Sequence, residues 1–117
     1  MKYSSYAALS SQAVTGTNAY NSDPVFIAHI FMASLEVIGT STAAGTAKIQ
    51  VSNDLGDPQE VPATFHWVDL PSASVALTAA ATVLIPKFET SYQWMRVVYT
   101  NSAGSGNVTA LVKGTGW

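Results

Sequence analysis

Two histidines, seven carboxylates and a wealth of hydroxyls are the groups in this 117-residue chain that could do chemistry, and there is no cysteine. His29 lies in the apolar run 25–33, the setting of a core or interface histidine. His66 sits between Phe65 and Trp67 and is expected to face solvent or a partner. A metal held by both histidines with Asp69 or Glu36 would need clustered ligands, and no such spacing is present. The carboxylates are Asp23, Glu36, Asp54, Asp57, Glu60, Asp69 and Glu89. A glycosidase needs two of them facing across a cleft, and nothing in their spacing marks such a pair. Asp54 and Asp57 share one loop and offer oxygens of the kind calcium takes, but Asn53-Asp54-Leu55-Gly56-Asp57 departs from the EF-hand pattern and reads as a turn. Whether that pair takes a cation stays open. Serine is abundant without a Gly-x-Ser-x-Gly elbow, and Gly104-Ser105-Gly106 reads as a hairpin tip. No phosphate-cradling glycine pattern occurs. The chain is therefore read as a non-enzyme with no catalytic residue, no metal and no cofactor.

The elements that carry these residues have a period of two. Over residues 31–38, Phe31, Ala33, Leu35 and Val37 alternate with Met32, Ser34, Glu36 and Ile38. Ala47, Ile49 and Val51 alternate with Lys48, Gln50 and Ser52. The small-residue loop 39–45 between them predicts a hairpin. Further strands are expected at 65–70, closed by Pro71, at 74–77, at 82–85, stopped by Pro86, at 92–100, and from Val108 to Val112, with 101–106 as a hairpin loop. Seven or eight short strands at regular spacing predict an all-β fold, an antiparallel, jelly-roll-like β-sandwich forming one domain over 1–117. Residues 1–24 are more polar and predict either an edge strand or an arm laid on a neighbouring subunit.

Composition limits the partners. Charged residues make up 10% of the chain, against about 25% in ordinary domains. Surfaces of Ser, Thr, Ala and Gly suit subunit packing, because covering them desolvates few charges. Net charge is −2 and the five basic residues are scattered, so no nucleic-acid footprint is expected. No basic amphipathic helix points to a membrane surface, and the polar start of the chain does not read as a signal peptide.

Interface residues are sought among the aromatics. Trp67, Tyr3 and Tyr6 are candidates, together with Trp117, which follows Gly114-Thr115-Gly116 and is expected to be either frayed or inserted into a neighbour's pocket. Arg96 lies among apolar neighbours and predicts a structural ion pair with Asp69 or Glu36, or bonds to backbone carbonyls, because an unpaired buried guanidinium is costly.

Four segments carry a resemblance. Ile49-Gln50-Val51-Ser52-Asn53-Asp54, Phe65-His66-Trp67-Val68-Asp69-Leu70, Trp94-Met95-Arg96-Val97-Val98-Tyr99-Thr100 and Gly104-Ser105-Gly106-Asn107-Val108-Thr109-Ala110, over residues 31–113, resemble small virion proteins of tailed and marine phages. The resemblance implies a β-sandwich structural protein of a phage particle, working as a homo-oligomer or bound to a capsid or tail lattice. The function expected on that basis is a capsid decoration, vertex or minor capsid component, made in the host cytoplasm because the start of the chain does not read as a signal peptide. Its partners would be copies of itself and other virion proteins such as a major capsid protein. The alternatives are a carbohydrate-binding module and a tail- or fibre-associated adhesion protein.

Overall fold

The computed structural model describes residues 2–79 and 81–116, with side chains from Ser4 onward. The expectations for Trp117 and for the Tyr3 side chain lie outside the described residues. Nine strands follow in order: β1 (Lys2–Thr15), β2 (Ala19–Asn21), β3 (Val25–Phe26), β4 (Ile30–Gly39), β5 (Ala44–Ser52), β6 (Val68–Leu77), β7 (Thr82–Glu89), β8 (Trp94–Ala103) and β9 (Ser105–Gly116). One sheet has the order β1-β9-β4-β7, and the second has β2-β8-β5-β6 with β3 also on β8. Every pairing between these strands is antiparallel. Taking β2 and β3 as one interrupted strand, the chain changes sheet at every connection except β5 to β6. That is the eight-stranded jelly roll.

The expected alternation sets the core. Ala33, Leu35 and Val37 of β4 and Val108, Ala110 and Val112 of β9 face Ala47, Ile49 and Val51 of β5 and Met95, Val97 and Tyr99 of β8. Each is buried, and each large aliphatic side chain removed from water contributes about 1.5–3 kcal/mol. Buried polar groups inside this core are paired. Tyr99 donates its hydroxyl hydrogen to Asn101 Oδ1 (2.9 Å), and Asn101 Nδ2 donates to the carbonyls of Gly16 (2.8 Å) and Gly104 (2.9 Å).

Two expected hairpins are corners instead. Loop 39–45 carries the chain from β4 in one sheet to β5 in the other, and loop 101–106 carries it from β8 to β9. The two corners run side by side: Thr40 N donates to Asn107 O (3.0 Å), Thr42 N to Ser105 O (3.0 Å), and Ser105 N to Thr42 Oγ1 (3.1 Å). The pairing continues from Ile30↔Gly116 through Gly39↔Val108, round the bend, and on from Ala44↔Ala103 to Ser52↔Trp94. Residues 30–52 and 94–116 are thus one long antiparallel ribbon folded over both sheets. Gly104, with φ of 72°, lies so close to the Thr42 carbonyl that a Cβ there would collide with it.

Neither proline ends a strand. Pro71 lies within β6, beside Ser72 at φ 62°, where the register against β5 slips between Lys48 and Gln50. Pro86 lies within β7, where the register against β4 slips between Ala33 and Leu35. Both strands are sheet edges, so the missing N–H removes no ladder bond that a neighbour needs. The segment 65–67, expected to begin a strand, is irregular, and β6 starts at Val68.

Candidate functional site

The outer face of the second sheet gathers most of the candidate residues. Because Met95 and Val97 point inward, Trp94 and Arg96 point outward on β8, as Lys48 and Gln50 do on β5. Trp94 is nevertheless only 3% exposed. Phe26 of β3 and Phe65 of the 53–67 loop close over it edge-on, with ring centroids at 5.1 and 5.3 Å. Its indole N–H is buried without an oxygen or nitrogen acceptor among the described residues. Phe65 in turn stacks on Trp67 (4.8 Å), and the Arg96 guanidinium lies 4.8 Å from the Trp67 ring centre. Arg96 Nε donates to Gln50 Oε1 (2.8 Å), Gln50 Nε2 donates to Asp69 Oδ1 (2.9 Å), and Lys48 Nζ donates to Asp69 Oδ2 (3.2 Å). An unbroken row of side chains thus runs from Phe26 to Lys48. Burial lowers the pKa of Arg96, and the bonds from Gln50 and then Lys48 hold that of Asp69 below the usual carboxylate value.

A clasp keeps the 53–67 loop on this face. Asp54 Oδ2 accepts from Ser52 Oγ (2.5 Å) and from the His66 backbone N–H (2.6 Å), while Oδ1 meets His66 Nδ1 at 2.9 Å. These contacts, the Ser52 hydroxyl first, pull the Asp54 carboxyl down to about 2. Gln93 Nε2 ties the loop further by donating to Gly56 O (2.7 Å). The Ser-Asp-His grouping does not form a nucleophilic triad. Its carboxylate sits between serine and histidine, whereas general-base activation needs the histidine in the middle. Asp57 Oδ1 accepts from the backbone N–H groups of Gln59 (2.8 Å) and Glu60 (2.9 Å), which makes it a turn-forming side chain. Among the described residues no three His, Asp or Glu side chains gather as a metal site.

The loop also brings apolar side chains into solvent. Leu55 is 92% exposed, Val61 54%, and Val68 at the start of β6 65%. Beyond Phe26 the row turns the edge of the sandwich: Phe26 stacks on His29 (6.2 Å), and His29 Nε2 meets the Tyr6 hydroxyl at 3.3 Å. Tyr6, Phe26, His29, Pro58, Val61 and Trp94 line an open groove of about 450 Å³.

Two site expectations need correction. His29 is not a buried strand residue; it sits exposed in the turn between β3 and β4, because the apolar run is broken there by a reversal of the chain. Arg96 forms no ion pair with Asp69 or Glu36. Glu36 lies on the other sheet, Asp69 is taken by Lys48 and Gln50, and Gln50 stands between the guanidinium and that carboxylate. Trp67 and Tyr6 lie at the two ends of the aromatic part of the row. Phe26, Gln50 and the Asp54–His66 contact were not singled out by sequence, since they come from separate segments with no motif spacing.

No family model and no curated protein matches this chain. Its fold is similar to that of several solved structures. The PBSX exported protein XepA aligns with a TM-score of 0.70 at 15% identity, over 97% of this chain and 37% of XepA. PirA aligns with a TM-score of 0.58 at 13% identity, over 93% of this chain and 90% of PirA. VP2 of infectious bursal disease virus, in a subviral particle, aligns with a TM-score of 0.54 at 12% identity, over 98% of this chain and 32% of VP2. The chain thus spans about a third of the length of XepA and of VP2. At these identities the likeness is one of fold.

Proposed function

We propose that this chain is a non-enzymatic structural protein of a bacteriophage virion, a capsid decoration, vertex or minor capsid component that works by packing against other subunits. The observation that carries the reading is the row Phe65, Trp67 and Arg96, seated beside the buried Trp94 on the outer face of the second sheet and flanked by exposed Val61 and Val68. Tryptophan, aromatic and arginine side chains dominate the energetics of protein interfaces, and exposed apolar clusters mark surfaces that become covered. The low charge content favours the same use, since few ions need desolvating. The jelly roll that this chain shares with VP2 supports the reading further.

A carbohydrate-binding module would present aromatic faces side by side for sugar rings. Here Phe65 lies over Trp67 and the Arg96 guanidinium lies over the same indole, so these faces meet each other. Copies of this chain and other virion proteins, such as a major capsid protein, are therefore the partners proposed. Mass spectrometry of gradient-purified phage particles tests the reading. The chain is expected at a fixed copy number per particle that survives a high-salt wash. Its confinement to the particle-free fraction would overturn the proposal.

A further inference from the structure

Arg96 is held ready for a partner it does not find among the described residues. Its Nε is taken by Gln50 and its plane lies over Trp67, so the guanidinium is fixed in direction. Among the described residues its two terminal nitrogens have no acceptor, and no carboxylate comes within ion-pair reach. The nearest candidate on the same face, Asp69, is neutralised by Lys48 at 3.2 Å. A half-buried guanidinium with a free, oriented fork matches one chemistry above others: a planar carboxylate taken through two parallel N–H bonds.

Resting on the virion reading, we infer that the Arg96 fork is a docking point for a carboxylate of a second copy of this chain. Charge complementarity favours that occupant. Asp23, Glu36, Asp57, Glu60 and Glu89 form no ion pair among the described residues, so each copy brings unneutralised carboxylates to a surface with few cations. The setting strengthens the bond. Trp67 and Phe65, with exposed Val68 next to Trp67 in the chain, exclude water once a neighbour covers them, and a charge pair gains strength as water leaves. Lys48, already paired, has no comparable role.

Sedimentation equilibrium of the full chain tests this, with the folded state of each variant checked by circular dichroism. The natural chain is expected to self-associate. R96M, which keeps the length of the stem and removes the fork, is expected to weaken association at least about 10-fold. R96K keeps charge and loses the bidentate fork, and is expected to weaken association as well, which covers the case in which R96M fails to fold. K87M, which removes an exposed cation from β7 of the other sheet, is expected to associate as the natural chain does. Unchanged association of both R96M and R96K overturns the inference, and so does an equal loss in K87M. A chain that is monomeric at every concentration yet recovered in particles also overturns it, while leaving the virion reading in place.

Discussion

Tyr99 donates its phenolic hydrogen to Asn101, two residues further along the same strand, and both side chains are completely enclosed. The pair joins three parts of the fold. The Asn101 amide holds Gly16 after β1 and Gly104 at the corner between β8 and β9. Enclosure raises the pKa of Tyr99, as expected for a phenol kept from water. Asn101→Ala leaves one hydroxyl and two carbonyls without this partner. A loss of about 2–4 kcal/mol is expected, whereas Tyr99→Phe removes one bond and costs about 1 kcal/mol. Chemical denaturation of the two variants measures the difference. Equal effects would show that the Asn101 amide is not the organising group.

Gly104→Ala is expected to be among the most damaging small substitutions. The new methyl would meet the Thr42 carbonyl across the corner, and the backbone there has a left-handed φ of 72°. Relieving the clash means parting the two corner segments. A loss of about 2–4 kcal/mol is expected, read as a fall in melting temperature.

Trp94 separates volume from polarity. Trp94→Phe removes an indole N–H that has no acceptor among the described residues, and this gain offsets part of the packing lost against Phe26 and Phe65. The net change is expected within about 1 kcal/mol of zero. Trp94→Ala opens a cavity beneath both rings and is expected to cost about 3–5 kcal/mol. Thermal denaturation of the two variants decides the matter; a large loss in Trp94→Phe would mean that the N–H is bonded after all.

The clasp at Asp54 makes the loop sensitive to acid. The folded-state carboxyl is held at about 2, below its ordinary value of 3.8. A lowered carboxyl stabilises the fold above the ordinary value, and that contribution is lost as pH falls toward the folded value. The stability gap between the natural chain and Asp54→Asn is therefore expected to be constant above about pH 4 and to narrow down to about pH 2. Tryptophan fluorescence reports the loop, because Trp67 belongs to it. A gap that stays constant down to pH 2 would contradict the clasp.

Alternation made the core legible. Leu35 and Val37, Ile49 and Val51, and Val108 and Val112 each fall on the buried face that period two assigns them. The corners were not legible, because a short Gly- and Ser-containing loop looks the same locally whether the next strand pairs with the last or crosses to the other sheet. Pro71 and Pro86 misled for a related reason: proline stops a central strand, but an edge strand accommodates it at a bulge, and edge position is a property of the whole fold. The aromatic row was visible only in pieces. Phe26, Phe65, Trp67 and Trp94 lie in three segments that the fold alone brings together. Arg96 was sought beside a carboxylate, and the amide of Gln50 took that place.

The bent ribbon also orders events in time. Its innermost pair is Ser52 with Trp94 and its outermost is Ile30 with Gly116, so every rung closes a loop over the intervening segment. Such distant pairings form slowly, since chain entropy is lost before the contacts repay it. During synthesis, β4 and β5 emerge long before β8 and β9 and wait with their bonding edges open. The ribbon forms only after residues 94–116 have left the ribosome, so until then the open edges of β4 and β5 are exposed to wrong pairing with neighbouring chains.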